Sequence, residues 1–120
     1  MAAVAVSGAV DLLVAPGIGV VRVANGTDLL TRITGGGCAL GAVVAAFTSV
    51  APGDAGAAAV AATAVHTIAA ELAARDAGGP GTFQPLFLDR LAALAPEDVV
   101  REARITVETA PAVDTRAVSA

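Results

Sequence analysis

The chain has 120 residues, room for one domain or for part of a larger one. Hydrophobic residues make up 56% and charged residues 15%, which excludes disorder and raises the question of a membrane segment. The formal net charge is −4 with no basic run, and Tyr and Trp are absent, so phosphate neutralisation and base stacking are both missing and no nucleic-acid partner is expected.

The N-terminal third reads as short strands. VAVSG (4–8) is an apolar run ending at a turn residue, and DLLVA (11–15) is a second, closed by Pro16-Gly17. GVVRVANG (19–26) alternates and stops at Asn25-Gly26, a strong hairpin or turn signal. LLTRIT (29–34) continues as a short strand or extended approach.

After Gly37 the period becomes helical. Cys38 to about Val50 is apolar all round, as in a helix buried on most faces, and Ala51-Pro52-Gly53-Asp54 ends it. A second helix is expected from about Ala55 to Ala77, with Val60, Ala64, Ile68 and Leu72 on one stripe and Glu71 and Arg75 as an i,i+4 pair. Gly78-Gly79-Pro80-Gly81 stops it. Thr82 is then a candidate N-cap for a third helix, in which Phe83, Phe87, Leu91 and Leu94 share a face and Pro85 falls in the first turn. Pro96 starts a short fourth helix to about Ala103, RITVETA (104–110) reads as a closing strand, and the last residues are expected to be loose. Strands, a glycine-rich strand-to-helix turn and then helices suit the C-terminal part of an α/β layered fold, with some of the sheet outside this chain.

The longest apolar runs, 38–50 and 55–70, fall short of the ~18–20 residues that span a bilayer, so two buried helices and no membrane partner are expected. A membrane hairpin over 38–77 is the alternative. One cysteine makes no internal disulfide, and no charged leader precedes AAVAVSGAVD, so a cytoplasmic location is the expectation.

The chemistry concentrates at Gly35-Gly36-Gly37-Cys38. Glycines at a helix mouth let the backbone approach a ligand, and the first N–H groups with the helix dipole form an anion site, most often for phosphate. Such turns also serve merely to pack a helix on a sheet. The segment is not a P-loop, for the lysine of GxxxxGKS/T is missing, and Leu40 stands where a dinucleotide fingerprint needs its third glycine. Cys38 in the first helical turn has its thiolate stabilised by the same N–H groups, which makes it a candidate base or nucleophile; otherwise it is a small buried hydrophobe. One Cys and one His, His66, build no metal site, and His66 reads as structural or solvent-facing. Glu71, Arg75, Glu97, Asp98, Arg101 and Glu102 read as solvated helix charges. The Ser7 hydroxyl either meets a ligand or caps a turn.

The segment TGGGCALGAVVAAF (34–47) resembles the T-G-T/A-G-C-x-L-x-x-V-V-x-A-F signature of hydroxyethylthiazole kinases, members of the ribokinase-like superfamily. AVSGAVD (5–11) is similar to that family's A-V/I-T-G-E-V-D block. NGTDLLTRIT (25–34) and GGPGTFQPLFLDRLAAL (78–94) resemble two further blocks, and all four fall in family order. The resemblance covers the C-terminal half of a family chain. It implies that residues 1–120 are the C-terminal half of one ribokinase-like kinase domain, with the N-terminal half absent. It further implies ATP and hydroxyethylthiazole as substrates in thiamine biosynthesis or salvage, Mg²⁺ as cofactor, and a homotrimer in the complete enzyme. Residue by residue, it puts Cys38 at the catalytic base, Gly35, Gly36 and Gly37 at the phosphate anion hole, Gly35 also beside the thiazole, and Ser7 at an ATP-binding hydroxyl. Gly36 stands where the signature has Thr or Ala, expected to loosen the turn by roughly 0.5–1 kcal/mol, and Ala9 stands where it has Glu. The alternatives are another ribokinase-like small-molecule kinase and a catalytically inactive fragment or assembly module.

Overall fold

The computed structural model describes residues 3–109. Strands β1 (Val4–Val6), β2 (Asp11–Ala15) and β3 (Gly19–Val23) form an antiparallel meander. Helices α1 (Gly36–Val50), α2 (Ala55–Asp76), α3 (Pro80–Ala93) and α4 (Pro96–Glu102) follow. The chain then returns as β4 (Ile105–Glu108), which pairs antiparallel with β3, giving the order β1-β2-β3-β4. Pro16-Gly17 makes the β2–β3 turn, closed by Ile18 N–H donating to Ala15 O at 3.2 Å, with Gly17 at φ 81° where a side chain would be strained.

The alternation of β2 and β3 sends Leu13, Val21 and Val23 to the helix side, where they pack with Ala59, Val44, Val60 and Ile105. A second core lies between α2 and α3. Ala69, Ala70 and Ala73 leave room for Phe83 and Phe87, whose rings stack with centroids 5.7 Å apart. Asp54 caps α2 by accepting the Ala57 N–H, and Asp98 caps α4 by accepting the Ala95 N–H.

Four expectations change. LLTRIT does not form a strand; residues Asp28–Arg32 form a 3₁₀ turn. Thr27, itself extended, accepts the Leu29 N–H on its hydroxyl, and Thr31 donates its hydroxyl to Asp28 O at 2.6 Å, so the local side chains satisfy a turn rather than a ladder. Thr82 is not the cap of α3: Gly79 is, with Pro80 in the first turn, and the Thr82 hydroxyl instead accepts the Gly78 N–H. Glu71 and Arg75 do not pair with each other; Arg75 binds Glu102, and Glu71 pairs with Arg104.

The fourth change concerns burial. α1 is not buried on most faces: only Gly36 is fully buried, and Cys38, Gly41, Ala42, Ala45, Ala46, Ser49 and Val50 are exposed. α2 is the buried helix, covered by α1, α3 and the sheet. At 22 residues α2 is long and apolar enough in composition to cross a membrane, longer than the apolar run its sequence suggested, and most of its apolar surface lies inside the fold. The outer sheet face carries exposed Val4, Val6 and Val14. The closing strand ends at Glu108; Ala110 and the tail expected to be loose lie outside the described residues.

Phe83 is fully buried against α2, so Phe83→Ala should lose about 3–5 kcal/mol of stability, read as a lower urea midpoint, whereas Val50→Ala on the exposed end of α1 should shift it little.

Candidate functional site

A cavity of about 780 Å³ opens among the segment after β1, the segment after β3 and the N-terminus of α1, with Asp11 of β2 and His66 and Thr67 of α2 at its base. Ser7, Gly35, Gly36, Gly37 and Cys38 all line it. Residues that sequence reading singled out at two distant places therefore line one cavity.

The glycine turn has the geometry of an open helix mouth. Gly35 is the N-cap at φ 83°, with no side chain capping the end. The first hydrogen bond of the helix runs from Ala39 N–H to Gly35 O at 2.8 Å, so the N–H groups of Gly36, Gly37 and Cys38 precede the ladder. Cys38 is exposed in this first turn. Gly36 does more than loosen the turn: a Cβ there would lie 2.5 Å from Leu30 O, so the close approach of the 3₁₀ turn requires the missing side chain.

Each of the three segments is tied down by a buried polar side chain. Asp11 accepts the Gly8 N–H on Oδ1 at 3.1 Å. Glu71 accepts the Gly26 N–H at 3.0 Å and an Asn25 Nδ2–H at 2.9 Å, and it pairs with Arg104. Asn25 in turn donates to Glu102 O at 2.9 Å and accepts the Arg104 N–H at 2.7 Å, so its amide links α2, α4 and the approach to β4. His66, 1% exposed, reaches Gly36 O with Nε2 at 3.1 Å.

Three of these groups carry shifted titrations. Burial pushes the His66 imidazole down, opposed by the Gly36 carbonyl and the Asp11 charge, so the ring is neutral near pH 7. Burial raises the Asp11 carboxyl, opposed by the Gly8 N–H and by His66. Burial also acts most strongly on Glu71 and opposes its charge, but Arg104, Asn25 and Gly26 together outweigh it and hold the carboxyl below its ordinary range.

Glu71 is thus no solvated helix charge: its side chain is only 12% exposed. Asp11, Asn25 and Glu71 were not legible as site residues, although Asn25-Gly26 signalled a turn and Asp11 closed a strand motif. Among the described residues no group of three His, Cys, Asp or Glu gathers closely enough to hold a metal ion, and the cavity wall carries two carboxylates, Asp11 and Asp28.

Comparison with known proteins gives a consistent picture. A profile described as "HK: Hydroxyethylthiazole kinase family" matches residues 1–97. A hydroxyethylthiazole kinase of Clavibacter sepedonicus is 53% identical over 103 residues, covering 86% of this chain and 37% of that protein. One from Desulforudis audaxviator is 48% identical over 93 residues, covering 78% of this chain and 34% of the relative. The solved structure of a hydroxyethylthiazole kinase protein from Pyrococcus horikoshii OT3 superposes with a TM-score of 0.80 at 34% identity, covering 88% of this chain and 41% of that one. The chain therefore spans little more than a third of the length of the curated relatives it matches.

The depressed Glu71 carboxyl fixes a sign for acid stability. A group whose folded value lies below its unfolded one contributes stability above the ordinary carboxylate value of 4.5 and loses it as pH falls through the folded value. Glu71→Gln should lower stability at pH 7 by on the order of 1–3 kcal/mol, and the gap between variant and wild type should narrow below that value, as read by urea midpoints across pH.

Proposed function

Because the chain belongs to the hydroxyethylthiazole kinase family, we propose that it forms the C-terminal half of a ribokinase-like kinase domain that transfers the γ-phosphoryl group of ATP to the hydroxyl of 4-methyl-5-(2-hydroxyethyl)thiazole. The observation that carries this reading is that the Ser7 segment, the glycine turn and Cys38 line the same open cavity. An alcohol and a polyphosphate meeting there would find the groups that such a transfer uses.

Phosphoryl transfer depends on position and on neutralising the charge that spreads over the moving oxygens. The N–H groups of Gly36, Gly37 and Cys38 supply fixed donors at the positive end of α1. The Cys38 sulfur beside them accepts or orients the proton of the attacking hydroxyl. A weak base suffices there, since charge stabilisation carries most of the barrier lowering. Ser7, exposed at the opposite segment, offers its hydroxyl to the nucleotide, and the Gly35 backbone borders the thiazole. Mg²⁺, when bound, would supply charge neutralisation on the triphosphate. A phosphate-bound Mg²⁺ takes one or two carboxylates from its protein, and among the described residues Asp11 and Asp28, the two carboxylates lining the cavity, would be the ones to hold it.

The remaining length of the family chain would complete the substrate pocket. The exposed apolar stripe of α1 and the outer sheet face, with Val4, Val6 and Val14 in water, support the need for further covering. A homotrimer and a cytoplasmic location belong to the same proposal, as does the absence of a membrane or nucleic-acid partner.

Thiazole-dependent release of ADP tests the proposal. The 120-residue chain by itself should turn over little. Joined to the remaining family length it should phosphorylate the thiazole alcohol, and Cys38→Ala there should lower kcat by about 10²-fold or more while leaving the KM for ATP nearly unchanged. An unchanged kcat removes Cys38 from the proton transfer.

A further inference from the structure

We propose that His66 is a positioning residue for the glycine turn: from beneath, its Nε2–H donates to Gly36 O and so aims the Gly37 N–H, with its neighbours, into the cavity. The inference rests on the reading of the turn as a phosphate site and adds the group that sets its direction.

A carbonyl oxygen only accepts, so at 3.1 Å from Gly36 O the Nε2 atom must carry the hydrogen. Gly36 C=O and Gly37 N–H belong to one peptide plane, and in a trans peptide they point to opposite sides. Drawing the carbonyl toward buried His66 therefore turns the Gly37 N–H away from the interior. Leu30 O also approaches Gly36 so closely that no Cβ fits, so the 3₁₀ turn as well as the imidazole packs against this residue. The ring itself is held edge-on to Phe87, with centroids 5.0 Å apart and planes at 80°.

The other ring nitrogen argues against a purely structural histidine. Nδ1 is buried with no hydrogen-bond partner among the described residues. The neighbouring hydroxyls on α2 are spent on their own helix: Thr63 donates to Ala59 O, and Thr67 donates to Thr63 O and Ala64 O. An imidazole that only filled space would be replaced at no loss by an apolar side chain, which would also remove this unpaired acceptor. Among the described residues, the bond to Gly36 O is the one hydrogen bond the ring makes.

Two measurements on the 120-residue chain test the role. In the unliganded wild type, imidazole ¹⁵N spectra should show a protonated Nε2, a bare Nδ1 and coupling across the hydrogen bond to the Gly36 carbonyl; a protonated Nδ1 with a bare Nε2 overturns the proposal. Inorganic phosphate is then titrated while the amide signals of Gly36, Gly37 and Cys38 are followed. His66→Gln, which returns an N–H near Nε2, should match wild type, whereas His66→Leu should need at least about tenfold more phosphate. Equal binding by the Leu variant, or failure of Gln to restore what Leu loses, overturns the role. Wild type that binds no phosphate contradicts the proposed function instead. The unliganded Gly37 amide signal then decides for His66: displaced in Leu and restored in Gln upholds the positioning role, and unmoved in both refutes it. Should Leu fail to fold, the wild-type imidazole spectrum and the Gln titration remain decisive.

Discussion

Loop backbone can wall a cavity only if something buried fixes the loop without consuming the groups that face the ligand. Here that task falls to single polar side chains rising from the regular elements. Asp11 holds Gly8, Glu71 holds Gly26, and His66 holds Gly36, each through one backbone group. The helix mouth behind Gly35 consequently keeps its first N–H groups outside the helical ladder, at the edge of the same cavity that Ser7 borders. Without these ties, the dipole of α1 would still exist, but the proposed phosphate site beside Cys38 would have no fixed wall.

The packing explains how three such polar groups are tolerated. α2 runs through the middle of the fold and brings His66 and Glu71 up under the cavity, while its alanines admit the stacked rings of Phe83 and Phe87 on the far side. Of the two rings, Phe87 lies edge-on against His66 and braces its plane. The same burial that keeps the imidazole neutral lets Nε2 serve as a fixed donor rather than a titrating charge. Glu71 takes the opposite course. It remains charged because Arg104, Asn25 and Gly26 surround it, which stitches the chain after β3 to α4 and β4.

Local pattern carried the elements that local forces determine. The DLLVA strand, the Pro16-Gly17 turn, the break at Pro52-Gly53 and the mouth of α1 at the glycine triplet all follow from neighbours within a few residues. The place of Cys38 and the glycines at that helix mouth was legible for the same reason. Asn25, Glu71 and His66 were not, because their partners lie 46, 77 or 30 residues away along the chain, beyond any periodicity. LLTRIT misled because β-branched and apolar residues suggest a strand, whereas Thr27 and Thr31 satisfy the backbone locally. α1 misled differently. Its uniform apolarity reports what a covering layer would bury, and within this chain only one of its faces is packed.

Native-state hydrogen exchange on the chain tests most directly whether buried side chains tie the loops while the helix mouth stays open. The amides of Gly8 and Gly26, although in loops, should be protected, because Asp11 and Glu71 hold them. Those of Gly37 and Cys38 should exchange rapidly. Slow exchange at Gly37 and Cys38 with fast exchange at Gly8 and Gly26 would mean that the mouth is closed and the ties absent, and the phosphate site would lose its physical basis.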